Sequence, residues 1–362
     1  MQVKILNTIP YKDGNAIVIC TDRNYVDYAM VAMQSWLEHS SQSTSFIILT
    51  DEPNPKELEE LVRTTINIPE KSSVEVHSID DLVDLGDMEF HTTGYYITKA
   101  AYYRLLIPSF MPDYEKVLYL DCDICVVKPM EEIFDVDFGD GCGIAGVEDF
   151  SFFKMIPKAM KGTPGLSKLT AEQQKEMVLK YHNSYAEWYA KELDMEIGND
   201  VKYMNSGVVM FNNPWCLENG MANRMFRLIE RQNEKNHWLY HADQDVLNSC
   251  FNGRIKWLPP EWNALWYFAT LYVRNVTMVR RKLQKENEEY VKAMMDSACL
   301  WHYTGNKPWN KPQFNYSVAS HWWKTCSHTP LLQKHLAKLS PTVQEHVLES
   351  IEECRPTLDQ FL

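Results

Sequence analysis

Three short apolar runs, Ile17–Cys20, Ser45–Leu49 and Val74–His77, alternate with two stretches of helical spacing within the first 80 residues. Val26, Ala29, Met30, Met33, Trp36 and Leu37 fall on one face of the first such stretch, and Leu58, Leu61 and Val62 mark the second. Strand–helix–strand–helix–strand is the pattern of parallel strands joined by crossover helices, so the chain must build a Rossmann-like α/β sheet. No G-x-G-x-x-G follows the first run, which argues against an ordinary dinucleotide cradle. At 362 residues the chain suits about two domains or one large α/β domain.

Farther along, Ala100 to Ile107 reads as a helix that stops at Pro108, and Gly143–Val147 and Tyr203–Phe211 read as further strands. Between those two strands, about 150–202 is polar and Lys-rich, with helical spacing near 171–192, as expected of an insertion beside the sheet. The segment 267–362 is expected to be mostly helical. The expected division is therefore 15–266, carrying the insertion, and a C-terminal region 267–362.

The chemistry starts at Lys116–Val127, an apolar strand that runs into Asp121 and Asp123 and then resumes. Desolvating unpaired carboxylates is costly, so two in one strand need a reason. Alternation along a strand would point Asp121 and Asp123 the same way and Cys122 the opposite way. Convergent carboxylates at a strand end suit a hard divalent cation such as Mg²⁺ or Mn²⁺; the competing reading is a turn with two solvated aspartates. Cys122-x-x-Cys125 has no second cysteine pair to complete a zinc site.

Composition excludes several classes. A formal charge of −13 is wrong for a general nucleic-acid binder, and 45% hydrophobic with 12% aromatic residues is ample for a packed core. Nine scattered cysteines, several inside apolar runs, fit a reducing cytoplasm. No secretory apolar stretch follows Met1, and nowhere do ~18 apolar residues run together, so no transmembrane segment is expected. The C-terminal tail is more acidic than basic and reads as no membrane anchor, although peripheral membrane contact stays compatible with the chain.

Ligands of open α/β sheets bind outside the carboxyl ends of the strands. Polar groups expected there are Asp22–Tyr25, Asp121 with Asp123, Asn205-Ser206-Gly207, and His241–Asp245 opening a helix with apolar Val246, Leu247, Cys250 and Phe251. A further cluster is Trp301-His302-Tyr303-Thr304-Gly305-Asn306-Lys307-Pro308-Trp309. Taken singly, each has a plain reading: Tyr25 as a first helical turn, Arg104 as an ion-pair partner, Asp243 as a helix N-cap, Asn205 as a turn residue. His302 reads alone as a core histidine, and Lys307 as a solvated lysine.

Taken in order, the segments resemble glycosyltransferase family eight, the group of glycogenin and the bacterial lipopolysaccharide galactosyl- and glucosyltransferases. The resemblance rests on the Asp/Asn-Tyr turn, Tyr103-Arg104-Leu105, Leu-Tyr-Leu-Asp-x-Asp, Asn-Ser-Gly-Val, Asp-Gln-Asp-x-Leu-Asn, and His-Tyr-x-Gly with Lys-Pro-Trp, over about 17–310. One departure is that only Asn306 separates Gly305 from Lys307, where relatives usually have two residues.

The resemblance implies a GT-A type fold, a mostly parallel sheet for nucleotide-diphospho-sugar transfer with a helical C-terminal extension. It makes 15–266 the nucleotide-sugar-binding catalytic domain and 301–309 an active-site loop. Donor contacts are implied for Cys20, Thr21, Asp22, Asn24, Tyr25, Arg104, Asp121, Cys122, Asp123, Asn205, Ser206, Asp243, Gln244, Gly305 and Lys307. Asp121, Asp123 and His302 are implied to hold Mn²⁺, with Mg²⁺ as the alternative. Gln244, Asp243 and Arg104 would act at the transferred sugar, and Asp149 would face the acceptor. The implied activity is retaining transfer of glucose or galactose from UDP-glucose or UDP-galactose to a carbohydrate-containing acceptor. A UDP-sugar-binding protein without turnover and a metal-dependent nucleotidyltransferase are the alternatives. Tyr95, Tyr96, Trp262, Trp266, Tyr267 and Trp309 are weighed as sugar-stacking residues, with packing as the commoner role, and 86–97 and 303–309 as candidate lids.

Overall fold

The computed structural model describes residues 3–90, 99–149, 202–235, 241–266, 294–314 and 316–353, with isolated residues outside these ranges. Nearly all of the insertion expected at 150–202 lies outside the described residues, as do Tyr95, Tyr96 and Tyr267.

The strands are β1 Lys4–Ile5, β2 Asn15–Cys20, β3 Thr44–Thr50, β4 Ser73–Ser78, β5 Val83–Asp84, β6 Lys116–Leu120, β7 Ile124–Val126, β8 Ile144–Glu148, β9 Met204–Asn212, β10 Ile255–Trp257, β11 Ala264–Leu265 and β12 Leu300–His302. Two crossover helices, α1 Val26–His39 and α2 Pro55–Thr65, complete the N-terminal unit. The main sheet runs β10-β8-β9-β6-β2-β3-β4. It is parallel except for β9, which lies antiparallel to both β6 and β8. β2 and β3 are almost wholly buried, as unbroken apolar strands must be when both faces are covered. One face packs on α1, α2 and the helices after residue 315; the other packs on segment 100–110 and on the helices Met221–Glu234 and Asp243–Cys250.

Local chemistry explains the crossovers. Asp22 Oδ1 accepts the backbone N–H groups of Asn24 at 2.9 Å and Tyr25 at 3.1 Å, turning the chain into α1. Asn54 caps α2 by accepting from Glu57 N, with Pro55 in the first turn, where a missing N–H costs nothing.

Three sequence expectations change. First, the Asp-x-Asp segment is not continuous strand: β6 ends at Leu120, Asp121–Asp123 turn, and β7 resumes in a separate sheet ordered β11-β12-β7. The turn removes the need to bury two carboxylates within a ladder, so it is the bend, not strand alternation, that converges them. Second, the helical run does not stop at Pro108. Ala100–Tyr103 tightens into a 3₁₀ turn at Arg104–Leu106, and Pro108 sits in the first turn of Ile107–Phe110, where proline is tolerated. Third, Asn205-Ser206-Gly207 lies inside β9 at its amino end. Because β9 runs against its neighbours, that end opens beside their carboxyl ends. Among the described residues no helix is long and apolar enough to cross a membrane.

Candidate active site

The carboxyl edge of the sheet opens into a cleft of roughly 230 Å³. Cys20 at the end of β2 and Thr21, Asp22 and Tyr25 after it form one wall, with the 121–123 turn at the middle. Ser206, His241, Asp243 and Gln244 form the far wall, and Lys307 comes from the loop after β12. Burial pushes the thiols of Cys20 and Cys122 up, so this floor is neutral, and Cys122 Sγ lies 3.4 Å from the Cys20 carbonyl.

β12 brings the histidine. It pairs antiparallel with β7, placing His302 opposite Ile124, and Tyr303 N donates to Asp123 O at 2.8 Å. His302 Nε2 therefore stands 3.6 Å from Asp121 Oδ2 and 3.4 Å from Asp123 Oδ1. One potential ligand atom from each of Asp121, Asp123 and His302 lies within 4.8 Å of the others. Two carboxylate oxygens and one imidazole nitrogen suit a divalent ion of the Mn²⁺ type. Gly207 leaves the room: a Cβ there would lie 2.2 Å from His302 Cε1 and 2.7 Å from Asp121 Oδ2. The residues present thus fit a metal centre.

Arg104 is a buried cation of the cleft, as is Lys307. Arg104 Nη2 lies 2.9 Å from Asp121 Oδ1, its Nη1 donates to Ser206 O at 2.7 Å, and its guanidinium sits 4.0 Å over the Tyr119 ring. Burial alone would lower its pKa; the carboxylates of Asp121 and Asp243 raise it instead. Tyr119 Oη also donates to Asp121 Oδ1, at 2.6 Å. Lys307 Nζ contacts Asp123 Oδ2 and donates to Tyr303 O at 2.9 Å. Burial would push the Asp123 carboxyl up, but Lys307 and His302 outweigh it and hold it well below the usual range.

Asp243 behaves differently. It is not the helix N-cap: Ala242 holds that place at φ 48°, and Asp243 is the first helical residue. Arg104 Nε is 3.3 Å from Asp243 Oδ2 but spends its hydrogen on Ala101 O at 2.8 Å. Asp243 Oδ2 is buried without a hydrogen-bond partner among the described residues. Burial pushes this carboxyl up to about 6, against the pull of Arg104 and with the help of Asp121. Beside it, Gln244 is engaged at both ends. Its Oε1 accepts from Ser206 N at 3.0 Å, and its Nε2 is 3.3 Å from Asp149 Oδ2.

A model of Glycosyl transferase family 8 matches residues 16–313. The chain belongs to this family. General stress protein A of Bacillus subtilis is 24% identical over 298 residues, covering 81% of this chain and 87% of that one. A lipopolysaccharide 1,2-glucosyltransferase of Escherichia coli is 23% identical over 325 residues, covering 87% and 80%. The galactosyltransferase LgtC, solved with donor and acceptor sugar analogs, superposes with a TM-score of 0.61 at 18% identity, over 90% of this chain and all of its own. The fold is therefore of the GT-A type, with a mostly parallel central sheet and C-terminal helices.

Of the residues singled out from sequence, Cys20, Thr21, Asp22, Tyr25, Arg104, Asp121, Cys122, Asp123, Ser206, Asp243, Gln244 and Lys307 line the cleft of this family-8 protein. His302, Asn205 and Asp149 join through contacts with these. Asn24 and Gly305, the latter at φ +78°, are exposed, and neither lines the cavity. Trp266 and Trp309 are buried in the core rather than open to a sugar. Sequence reasoning missed Tyr119 and Asn263. Tyr119, two residues before Asp121, was legible as sharing its side; Asn263 carried no local signal. Asn263 Oδ1 lies 2.9 Å from His302 Nδ1, and its Nδ2 is 2.9 Å from Asn205 Oδ1.

Proposed function

We propose that this protein is a retaining hexosyltransferase that moves glucose or galactose from UDP-glucose or UDP-galactose to a glycan, lipid-linked or protein-linked acceptor. The observation that carries the reading is a cleft in which Asp121, Asp123 and His302 each bring a ligand atom within 4.8 Å of the others. Asp22, Asp121, Asp123 and Asp243 line it against Arg104 and Lys307. A divalent cation would offset the repulsion between these carboxylates and a diphosphate, and Asp121, Asp123 and His302 would hold it, Mn²⁺ fitting best. When bound, that ion supplies Lewis-acid stabilisation of charge on the leaving diphosphate. In this reading residues 15–266 carry the donor site, and 267–362 returns 301–309 to it.

The remaining roles belong to the chain. Tyr25 would stack on uracil, with Asp22 accepting from base or ribose. Lys307 adds positive charge beside the diphosphate. Asp243 Oδ2, which has no hydrogen-bond partner among the described residues, would accept from a sugar hydroxyl and would stabilise the developing oxocarbenium charge. Gln244, held by Ser206 N–H and Asp149, positions the sugar rather than attacking it. This favours front-face substitution. The acceptor oxygen bonds to the anomeric carbon as the bond to phosphate breaks on the same face, and the acceptor proton passes to the departing phosphate oxygen. Asp149, which accepts from Gln244 Nε2 at 3.3 Å, would face the acceptor.

The test is UDP release from a panel of UDP-sugars with Mn²⁺. UDP-glucose or UDP-galactose should be hydrolysed slowly, and both EDTA and Asp123→Asn should abolish release. Binding without release would reduce the protein to a UDP-sugar binder, and pyrophosphate release would make it a nucleotidyltransferase.

A further inference from the structure

We propose that Asn263 is a positioning residue that keeps the His302 proton on Nδ1, so that Nε2 presents a bare lone pair to the metal. The inference rests on reading Asp121, Asp123 and His302 as a metal centre.

The polarity of the network follows from groups that have no choice. The Gly207 backbone N–H can only donate, and it meets Asn205 Oδ1 at 3.0 Å. At the other end of that amide, Asn205 Nδ2 faces Asp149 Oδ2 and Gln244 Oε1, each at 3.3 Å, and Gln244 Oε1 is fixed as an acceptor by the Ser206 backbone N–H at 3.0 Å. Asn205 is thus oriented from both sides. The Asn263 atom 2.9 Å from Asn205 Oδ1 must then be the donor Nδ2, which leaves Asn263 Oδ1 facing His302 Nδ1 at 2.9 Å as an acceptor. A neutral imidazole that donates from Nδ1 has its lone pair on Nε2, the atom aimed at both aspartates.

The proton would not stay there unaided. Asp121 Oδ2 and Asp123 Oδ1, at 3.6 Å and 3.4 Å from Nε2, draw a proton to that nitrogen, and a protonated Nε2 cannot ligate. Asn263 and His302 are 1% and 3% exposed, so bulk water does not replace the amide. The backbone also ties the two: Asn263 immediately precedes β11, whose Leu265 pairs with His302. Partners that fix the free nitrogen of a ligating histidine commonly change metal affinity 10–100-fold.

The experiment uses the full chain, metal-free and ¹⁵N-labelled. Two-bond ¹H–¹⁵N correlation reads the His302 tautomer, assigned by its loss in His302→Gln, and electron paramagnetic resonance measures Mn²⁺ affinity without UDP-sugar. Wild type should show the Nδ1–H form. Asn263→Leu should shift the ring toward Nε2–H or protonate it, and weaken Mn²⁺ binding by about 10–100-fold. Asn263→Asp keeps an acceptor against Nδ1 and should hold the wild-type tautomer with affinity within a few-fold. If Asn263→Leu does not fold, Asn263→Ala carries the same expectation. An unmoved tautomer and affinity in the leucine or alanine variant overturns the proposal alone. Wild type that binds no divalent cation, or binds it equally in His302→Gln, overturns the metal-centre reading and the proposal with it.

Discussion

Two buried aspartates mark two regions built for opposite ends. Asp27, on α1, faces the C-terminal helices, where Lys334 Nζ lies 2.6 Å and His335 Nε2 3.4 Å from its Oδ2. Around it Tyr28 stacks on Trp309 at 4.0 Å, Trp322 packs against Trp309 at 5.0 Å, and Trp323 Nε1 donates to Pro308 O at 3.2 Å. Burial would push Asp27 up, but Lys334 and His335 win and bring it down to about 2. In the cleft burial pushes the same residue type up to about 6, because Arg104, which Asp243 shares with Asp121, only partly opposes it. Asp27 faces two cationic side chains of its own; Asp243 shares one with Asp121, and its Oδ2 has no hydrogen-bond partner among the described residues. The clasp also serves the cleft, since Trp309 anchors the loop that carries Lys307 beside the helix that begins after Tyr25.

The largest expected effect tests whether the cleft is as closely fitted as the clasp. Gly207→Ala places a methyl 2.2 Å from His302 Cε1, so the ring and Asp121 must move. Displacement of about 1 Å at a reacting site can cost ~10² in rate. Metal-dependent UDP release should fall at least that far, with weakened Mn²⁺ binding and unchanged far-ultraviolet circular dichroism. Normal turnover in this variant would mean that the three groups do not work as one centre.

Next in size is a pair of substitutions with opposite signs. Asp243→Asn removes a desolvated charge, so it should leave stability unchanged or raise it by up to about 1 kcal/mol, while turnover falls ~10²–10³-fold. Asp27→Asn removes a satisfied charge. It should lower stability by about 1 kcal/mol, a figure kept small because Lys334 is 58% exposed, and leave turnover within a few-fold. Urea denaturation and UDP release on both variants decide it. Equal destabilisation would erase the distinction between the regions.

The difference between what sequence revealed and what it hid has the same physical root. Local pattern carried β2, α1, β3, α2 and β4, because period and burial are properties of neighbouring residues. It also carried Asp121 and Asp123 as candidates, while His302 joined them only through the family resemblance; the fold brings the three together. It did not carry direction. Nothing within Met204–Asn212 says that β9 runs against β6, and only that reversal puts Asn205 at the cleft. It did not carry the break at Asp121–Asp123 either, since that bend answers Gly207 O, which accepts from Asp121 N, and Tyr303 N, far along the chain. Asn263 was invisible because its role depends on β11 lying beside β12, a contact set by tertiary pairing.

The smallest effect is a pH dependence that should separate the two carboxylates within one protein. Asp243 has a folded-state value of about 6, above the ordinary value of about 4, so the fold takes up its proton before the unfolded chain does. Stability attributable to Asp243 should therefore rise as pH falls through 6 and be complete below about 4. Asp27 is displaced the other way, to about 2, so its contribution is present above about 4 and is lost as pH falls toward 2. Comparing wild type with each variant cancels the other titrating groups, and EDTA keeps metal out of the balance. The stability difference between wild type and Asp243→Asn should change between pH 7 and 4 and then level off. The difference between wild type and Asp27→Asn should stay flat over that range and shrink by about 1 kcal/mol between pH 4 and 2. Urea midpoints at pH 7, 4 and 2.5 measure both. Two curves that move over the same interval would mean that Asp243 is as well paired as Asp27, and the cleft would lose its claim to a carboxylate held open for substrate.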